Sequence, residues 1–303
     1  RKGYFALDER NAKKAAPPPD PTAAGERAAE ELRSALGSLY QRSEIPVRLS
    51  TDFLSMGRAG SQVVINGNVD LTAVQFRQNG DLQEAAVVLA GMVYDEAGQP
   101  AASLDPQRAG MRLARADYQR ARAEGLRYHK ILGLAPGSYE VRLAVREEGS
   151  GRLGSATRRI QVPDVGQGKL TLSGLFLLRA NDADPDGGSV ADPVAPLRDV
   201  QARPRFGQGE HLYYQLQVLN PRKDPTGATH LTIQAQVFEQ GRLQASTREE
   251  PLALSQIGTV PMAHTGSIGL DPLPPGQYEL QVVVTDHLVN NSVFRRVGFD
   301  VQP

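Results

Sequence analysis

From Ile45 onward the chain alternates between apolar and polar positions. In Leu212-Tyr213-Tyr214-Gln215-Leu216-Gln217-Val218 the even positions are apolar and the odd ones polar apart from Tyr213, and Leu231, Ile233, Ala235 and Val237 alternate with Thr232, Gln234 and Gln236. Tyr139, Val141, Leu143 and Val145 carry the same pattern in the first half, as do Tyr278, Leu280, Val282 and Val284 in the second. A period of two puts successive side chains on opposite faces, so these segments read as strands with one wet face. Strands of this kind in series, bounded by Gly and Pro turns, indicate antiparallel sheets packed face to face. The longest near-apolar run, Ala85 to Val93, is about half of the roughly 20 residues a membrane helix needs. It reads as a buried strand and predicts no membrane span.

The first forty-odd residues follow a different rule. Ala15-Ala16-Pro17-Pro18-Pro19-Asp20-Pro21 forms a stiff extended linker, because each proline fixes φ and removes a donor. Thr22 can cap a helix running to about Arg42, with Ala28, Leu32, Ala35, Leu36 and Leu39 on one face. That stripe is expected to dock on a neighbouring domain of the same chain. A second helix, Arg115 to Glu124, interrupts the strands of the first half.

An internal repeat organises the rest. Leu134-Ala135-Pro136-Gly137-Ser138-Tyr139-Glu140-Val141 matches Leu273-Pro274-Pro275-Gly276-Gln277-Tyr278-Glu279-Leu280 at an offset of 139 residues, and the same offset brings Val162 onto Val301. With small gaps, Val93-Tyr94-Asp95 matches Val237-Phe238-Glu239, and Gly60 before the strand at Val63 matches Gly209 before the strand at Leu212. A period this long signals duplicated domains, since solenoid repeats run about 20 to 50 residues. In the repeated segment Pro-Gly makes a turn, and the Tyr that follows can return its hydroxyl to the turn's backbone while its ring fills the core. This resembles the tyrosine corner of immunoglobulin-like and fibronectin type III sandwiches. The expected fold is all-β: two tandem immunoglobulin-like β-sandwiches preceded by a Pro-rich linker and one α-helix. The boundaries are 1–44 for the linker region and helix, 45–164 for the first sandwich with its helical insertion, and 165–303 for the second.

Composition narrows the function. The 303 residues hold 34 Lys and Arg against 34 Asp and Glu, which argues against a dedicated nucleic-acid or membrane-surface binder. The absence of Cys excludes disulfides, thiolate metal sites and cysteine nucleophiles. Asp182-Ala183-Asp184-Pro185-Asp186-Gly187 fits the opening of a calcium loop, with carboxylates at alternate positions and a Gly at the sharp turn. Its twelfth position is Pro193 in place of a bidentate Glu, with Asp192 one place early. Asp182, Asp184, Asp186 and Asp192 are therefore an incomplete ligand set, and calcium is the one cofactor the chain suggests. The five His residues (129, 211, 230, 264 and 287) are scattered without metal-ligand spacing and read as surface residues. The six Arg between Arg108 and Arg127 read as a solvated, salt-bridged helix face. Tyr213 is expected on a wet face. No acid, base and nucleophile set assembles, so no enzyme is expected.

Arg1-Lys2-Gly3-Tyr4-Phe5-Ala6 resembles the closing strand of the von Willebrand factor A-related domain common in acidobacterial proteins. Val93 to Gln99, Gly133 to Arg142, Gly151 to Ala156 and Val162-Pro163-Asp164 are similar to the region downstream of that domain. The resemblance covers residues 1 to about 180. It implies a C-terminal stalk or binding region of a larger exported bacterial protein, extracellular or in the cell envelope, with the A-related domain and any targeting signal upstream of Arg1 and among its contacts. The expectation is a non-enzymatic protein-interaction or structural region whose protein partner is unknown, binding through loops Glu147 to Gly154 and Asp286 to Asn291. The alternatives are a carbohydrate-binding module, which requires an exposed aromatic pair on one face, and a calcium-stiffened adhesion module.

Overall fold

In the computed structural model the described residues are 6–7, 23–178, 202–254, 256–257, 260–261 and 263–303. They fall into two compact units: residues 1–51, 65–131 and 137–161 form the first, and residues 52–64, 132–136 and 162–303 the second.

The first part of the chain builds β1 (Ala6–Leu7), α1 (Ala23–Gly37), β2 (Val47–Ser55), β3 (Ser61–Val69), β4 (Arg77–Asn79), β5 (Leu82–Asp95), β6 (Pro100–Ala114), α2 (Arg115–Glu124), β7 (Leu126–Leu134), β8 (Gly137–Glu147) and β9 (Leu153–Val162). One sheet has the order β1-β7-β3-β2, and the other β4-β5-β8-β9 with β6 also paired to β5. The two sheets face each other so closely that a Cβ at Gly67 on β3 would lie 2.6 Å from the Leu143 side chain on β8. A larger residue there would have to push the Leu143 side chain aside. Val87, Leu89, Val93, Val141, Leu143 and Val145 are fully buried on the inner face. Helix α1 covers the outer face of the same sheet, with Leu32, Ala35 and Leu36 packed on Ala90 and Ala144. It ends at Gly37, five residues short of the expected Arg42, and leaves Leu39 88% exposed. The β5 run expected to be buried is thus buried by a sheet on one side and by a helix on the other.

The second part builds β10 (Thr171–Leu172), β11 (Phe176–Leu178), β12 (Arg205–Gly207), β13 (His211–Leu216), β14 (Val218–Leu219), β15 (Leu231–Glu239), β16 (Arg242–Ser246), β17 (Glu250–Pro251), β18 (Gln256–Ile257), β19 (Val260–Pro261), β20 (His264–Gly269), β21 (Gly276–Asp286) and β22 (Asn291–Gln302). Its main sheet runs β12-β22-β21-β15-β16, with β17 also on β15, opposite a sheet β11-β13-β20. Between them lies a core of Leu212, Tyr214, Leu216 and Ile268 from one sheet and Ile233, Ala235, Val237, Leu280, Val282 and Val284 from the other.

The fold is all-β with immunoglobulin-like strand order in each repeat: β9-β8-β5-β6 and β22-β21-β15-β16 are the same arrangement, two hairpins paired side by side through a crossover. The register matches too. Val87↔Glu147, Leu89↔Val145, Gly91↔Leu143 and Val93↔Val141 become Leu231↔Asp286, Ile233↔Val284, Ala235↔Val282 and Val237↔Leu280. The Tyr278 hydroxyl donates to the Pro274 carbonyl at 2.7 Å, which closes the turn at the start of β21. Both tyrosine rings fold back on the turn glycine: a Cβ at Gly137 would lie 3.4 Å from the Tyr139 ring, and one at Gly276 3.3 Å from the Tyr278 ring. Gly60 and Gly209, matched in sequence, both have positive φ (93° and 81°).

Two expectations about side chains need correction. Gln217 was placed on a wet face by alternation, yet it is 1% exposed. The strand breaks between β13 and β14 there, and its carboxamide turns inward to serve backbone: it donates to Ser55 O (3.1 Å) and Pro261 O (2.8 Å) and accepts from Ser55 N (2.8 Å). The six-Arg run is only partly a helix face, because Arg108 and Arg112 lie on β6, paired with Glu148 and Glu84.

Candidate functional site

The loops at the ends of the sandwiches are built on one repeated device. In the first repeat β8 ends in Glu147, 1% exposed. Its carboxylate accepts the Gln75 backbone N–H at 2.8 Å and the Ser150 hydroxyl at 2.5 Å. Arg152, in the same hairpin, donates to Ala73 O (2.6 Å) and Glu44 O (2.7 Å). The hairpin tip is thereby tied to the loop between β3 and β4. In the second repeat β21 ends in Asp286, also 1% exposed, which accepts the backbone N–H of Arg222 at 2.8 Å and of Leu288 at 3.0 Å. His287 N donates to His230 O at 2.9 Å. Here the β21–β22 tip is tied to the loop between β14 and β15. A buried carboxylate is stable only when its lone pairs are satisfied, and in both repeats two neighbouring loops satisfy them.

The second repeat adds a cleft beside this junction. It measures about 1310 Å³, with Arg58, Lys223, His230, Thr232, Leu252 and His287 among its lining residues. Asp224 organises one wall, accepting from Thr226 N (2.8 Å), the Thr226 hydroxyl (2.6 Å) and Ala228 N (3.0 Å), with His230 Nε2 at 2.9 Å. The Thr226 hydroxyl, then His230 and the backbone N–H groups, hold its carboxyl well below the usual carboxylate range. Next to it Thr232 Oγ1 lies 2.9 Å from His287 Nε2 and also meets the Glu249 carboxylate. This trio has no relay geometry. Glu249 approaches the same Nε2 that faces Thr232, at 3.7 Å, whereas a catalytic triad places its acid on the opposite ring nitrogen. The hydroxyl proton goes to Glu249, so the group is a hydrogen-bonded clamp at the end of β15.

Asp182, Asp184, Asp186 and Asp192 lie outside the described residues. Among the described residues no group of three or more His, Asp or Glu side chains is placed to hold a metal ion, and no helix is long and apolar enough to cross a membrane. His211, His230 and His287 are exposed, while His129 and His264 are half-buried. Burial draws the His264 imidazole below its ordinary value, partly opposed by Glu250. Tyr213 is half-buried, flanked by Leu178 and Ser267 on the neighbouring strands. Sequence reasoning named Glu147 and Asp286 only as the first residues of the two expected binding loops and gave their carboxylates no role, although they stand at the 139-residue offset of the repeat. That spacing was the available signal.

No protein-family model matches the chain, and no curated protein matches it. Among solved structures it is similar to a biofilm-associated protein BSP domain at 10% identity and a TM-score of 0.25, over 92% of this chain and 55% of that one. It is similar to the fibronectin(III)-like modules of Clostridium thermocellum CbhA at 11% identity and a TM-score of 0.20, over 80% of this chain and 85% of the other. A third, Escherichia coli alpha-2-macroglobulin activated by porcine elastase, is 13% identical with a TM-score of 0.27, over 88% of this chain and 22% of that one. The chain spans about half the length of the biofilm-associated structure. Strand order and register, rather than these likenesses, assign the fold.

Proposed function

We propose that this chain is a non-enzymatic interaction or structural region, a stalk- or adhesion-like part of a larger exported bacterial protein. Contact is made through the hairpin tips Glu147 to Gly154 and Asp286 to Asn291. The observation that carries the reading is the pair of buried carboxylates, Glu147 and Asp286, which hold these tips in fixed positions on rigid sheets. Preordered loops lose little freedom on binding, so more of the contact energy is retained. The second tip also offers apolar contact surface, with Leu288 38% and Val289 47% exposed. Export and an upstream von Willebrand factor A-related neighbour rest on the resemblance of the first 180 residues.

A photo-crosslinking residue at Val289 tests the assignment in a cell-envelope fraction. It should yield a discrete adduct that disappears in Leu288→Asp, while the same probe at Arg33 on α1 yields none. Adducts of equal yield at both sites, or no loss in Leu288→Asp, would refute contact through the tip.

A further inference from the structure

The two repeats also differ on the outer face of the main sheet. In the first, the cross-strand pair Ala90↔Ala144 leaves room for α1, and Arg142 caps the helix by donating to Leu36 O at 2.7 Å. The second unit has no α-helix among its described residues. Its pair at the same register is Gln234↔Val283 and the next is Gln236↔Gln281, where the first repeat has Met92↔Arg142. Gln234 and Val283 stand where Ala90 and Ala144 seat the helix, so this face is shaped for a different occupant.

The amides form an ordered row. Arg296 Nε donates to Gln281 Oε1 at 2.6 Å, Gln281 Nε2 to Gln236 Oε1 at 2.7 Å, Gln236 Nε2 to Gln234 Oε1 at 3.0 Å, and Gln234 Nε2 to Thr247 O at 3.1 Å. Every bond runs in the same direction, which fixes each carboxamide and leaves it a second N–H and a second lone pair. At the head of the row the Arg296 guanidinium sits 5.4 Å from the ring centroids of both Phe238 and Phe294. Phe294 is 57% exposed and Leu243, beside Phe238, is 54% exposed. Arg296 makes no ion pair among the described residues, so the fork of its two terminal nitrogens is available.

We propose that this face binds a polysaccharide bearing carboxylates, with Arg296 receiving a uronate carboxylate, the half-buried Gln234 and Gln236 meeting hydroxyls, the buried Gln281 holding the row in place, and Phe294 and Phe238 packing against the apolar faces of the sugar rings. A guanidinium within 5.4 Å of two ring centroids still presents the planar fork that suits a carboxylate. Fixed amides exchange hydrogen bonds with hydroxyls without further ordering. The row crosses three strands, about 10 Å, which is the span of a disaccharide. A nucleic acid would demand a basic field that one arginine does not supply. This surface is separate from the hairpin tips, so either reading can fail alone.

Affinity electrophoresis of the full chain through native gels containing polygalacturonate, alginate or neutral dextran, at 0.1 M salt, tests it. Both acidic polymers should retard the chain and dextran should not. Arg296→Gln and Phe294→Ala should each weaken the interaction at least tenfold, while Arg33→Gln on α1 leaves it unchanged. A melting curve identifies any variant that fails to fold; Phe294→Ser, at an exposed ring, then replaces it. Absence of retardation, equal retardation by dextran, or retardation indifferent to both face substitutions would overturn the proposal.

Discussion

At Asp52, burial raises the carboxyl from its ordinary 3.8 to about 7, against the opposing charge of Arg295. Its side chain is closely approached as well, since a Cβ at Gly174 would lie 2.4 Å from that of Asp52. In the unfolded chain the group ionises near 4, so between about 4 and 7 the folded form keeps a proton that the unfolded form has lost. The resulting stabilisation is whole below that window and gone above it. A three-unit shift corresponds to about 4 kcal/mol, but the residue retains some solvent exposure, and screening brings the expected effect to about 1–2 kcal/mol. The melting temperature should therefore fall between pH 4 and 7, and Asp52→Asn should flatten that slope. Parallel slopes for the two proteins would show that Asp52 does not titrate there. The carboxylates at Glu147 and Asp286 act through hydrogen bonds. Asp286→Ala strips two backbone N–H groups of their acceptor and should cost about 2–3 kcal/mol in urea unfolding, against less than about 0.5 kcal/mol for exposed Asp271→Ala. The offset of 139 makes Glu147 and Asp286 visible as equivalents in the sequence. Their partners Gln75 and Arg222 sit in loops with no period to read, which is why the device itself was hidden.

Among the elements, the strands were legible because alternation is a direct image of a sheet with one buried face. Helix α1 was legible as a stripe. Its stop was not, because the apolar spacing continues to Leu39 while Gly37 ends the helix. What the stripe packs on was hidden too: alternation in β5 and β8 tells which residues share a face, and not that Ala90 and Ala144 are covered. Leu36 is 6% exposed against that face. Leu36→Asp should release α1, which trypsin reports as faster cleavage at Arg33. An unchanged cleavage rate would mean that the helix is held by its ion pairs, Arg146 with Glu31 among them.

Across the whole molecule, the repeat that is partial in sequence is continuous in register, so the duplicated unit is the pair of hairpins β5–β6 with β8–β9 and β15–β16 with β21–β22. The copies then diverge at their margins. The edge strand is continuous in β6 and broken between β16 and β17, and among the described residues α2 interrupts only the first copy. The matched Pro-Gly-x-Tyr segments were enough to find the duplication, because a turn on which the following tyrosine ring folds back tolerates few other residues. Pairings that depend on distant edges left no such mark, and the parallel pair of β12 with β22 is the clearest case: Arg205, Phe206 and Gly207 lie against Asp300, Val301 and Gln302. Tension applied between Arg205 and Gln302 pulls these strands past one another and strains all their hydrogen bonds together, whereas the antiparallel β21–β22 hairpin can peel one rung at a time. Under load, the strength of that span is set at three residues on an edge.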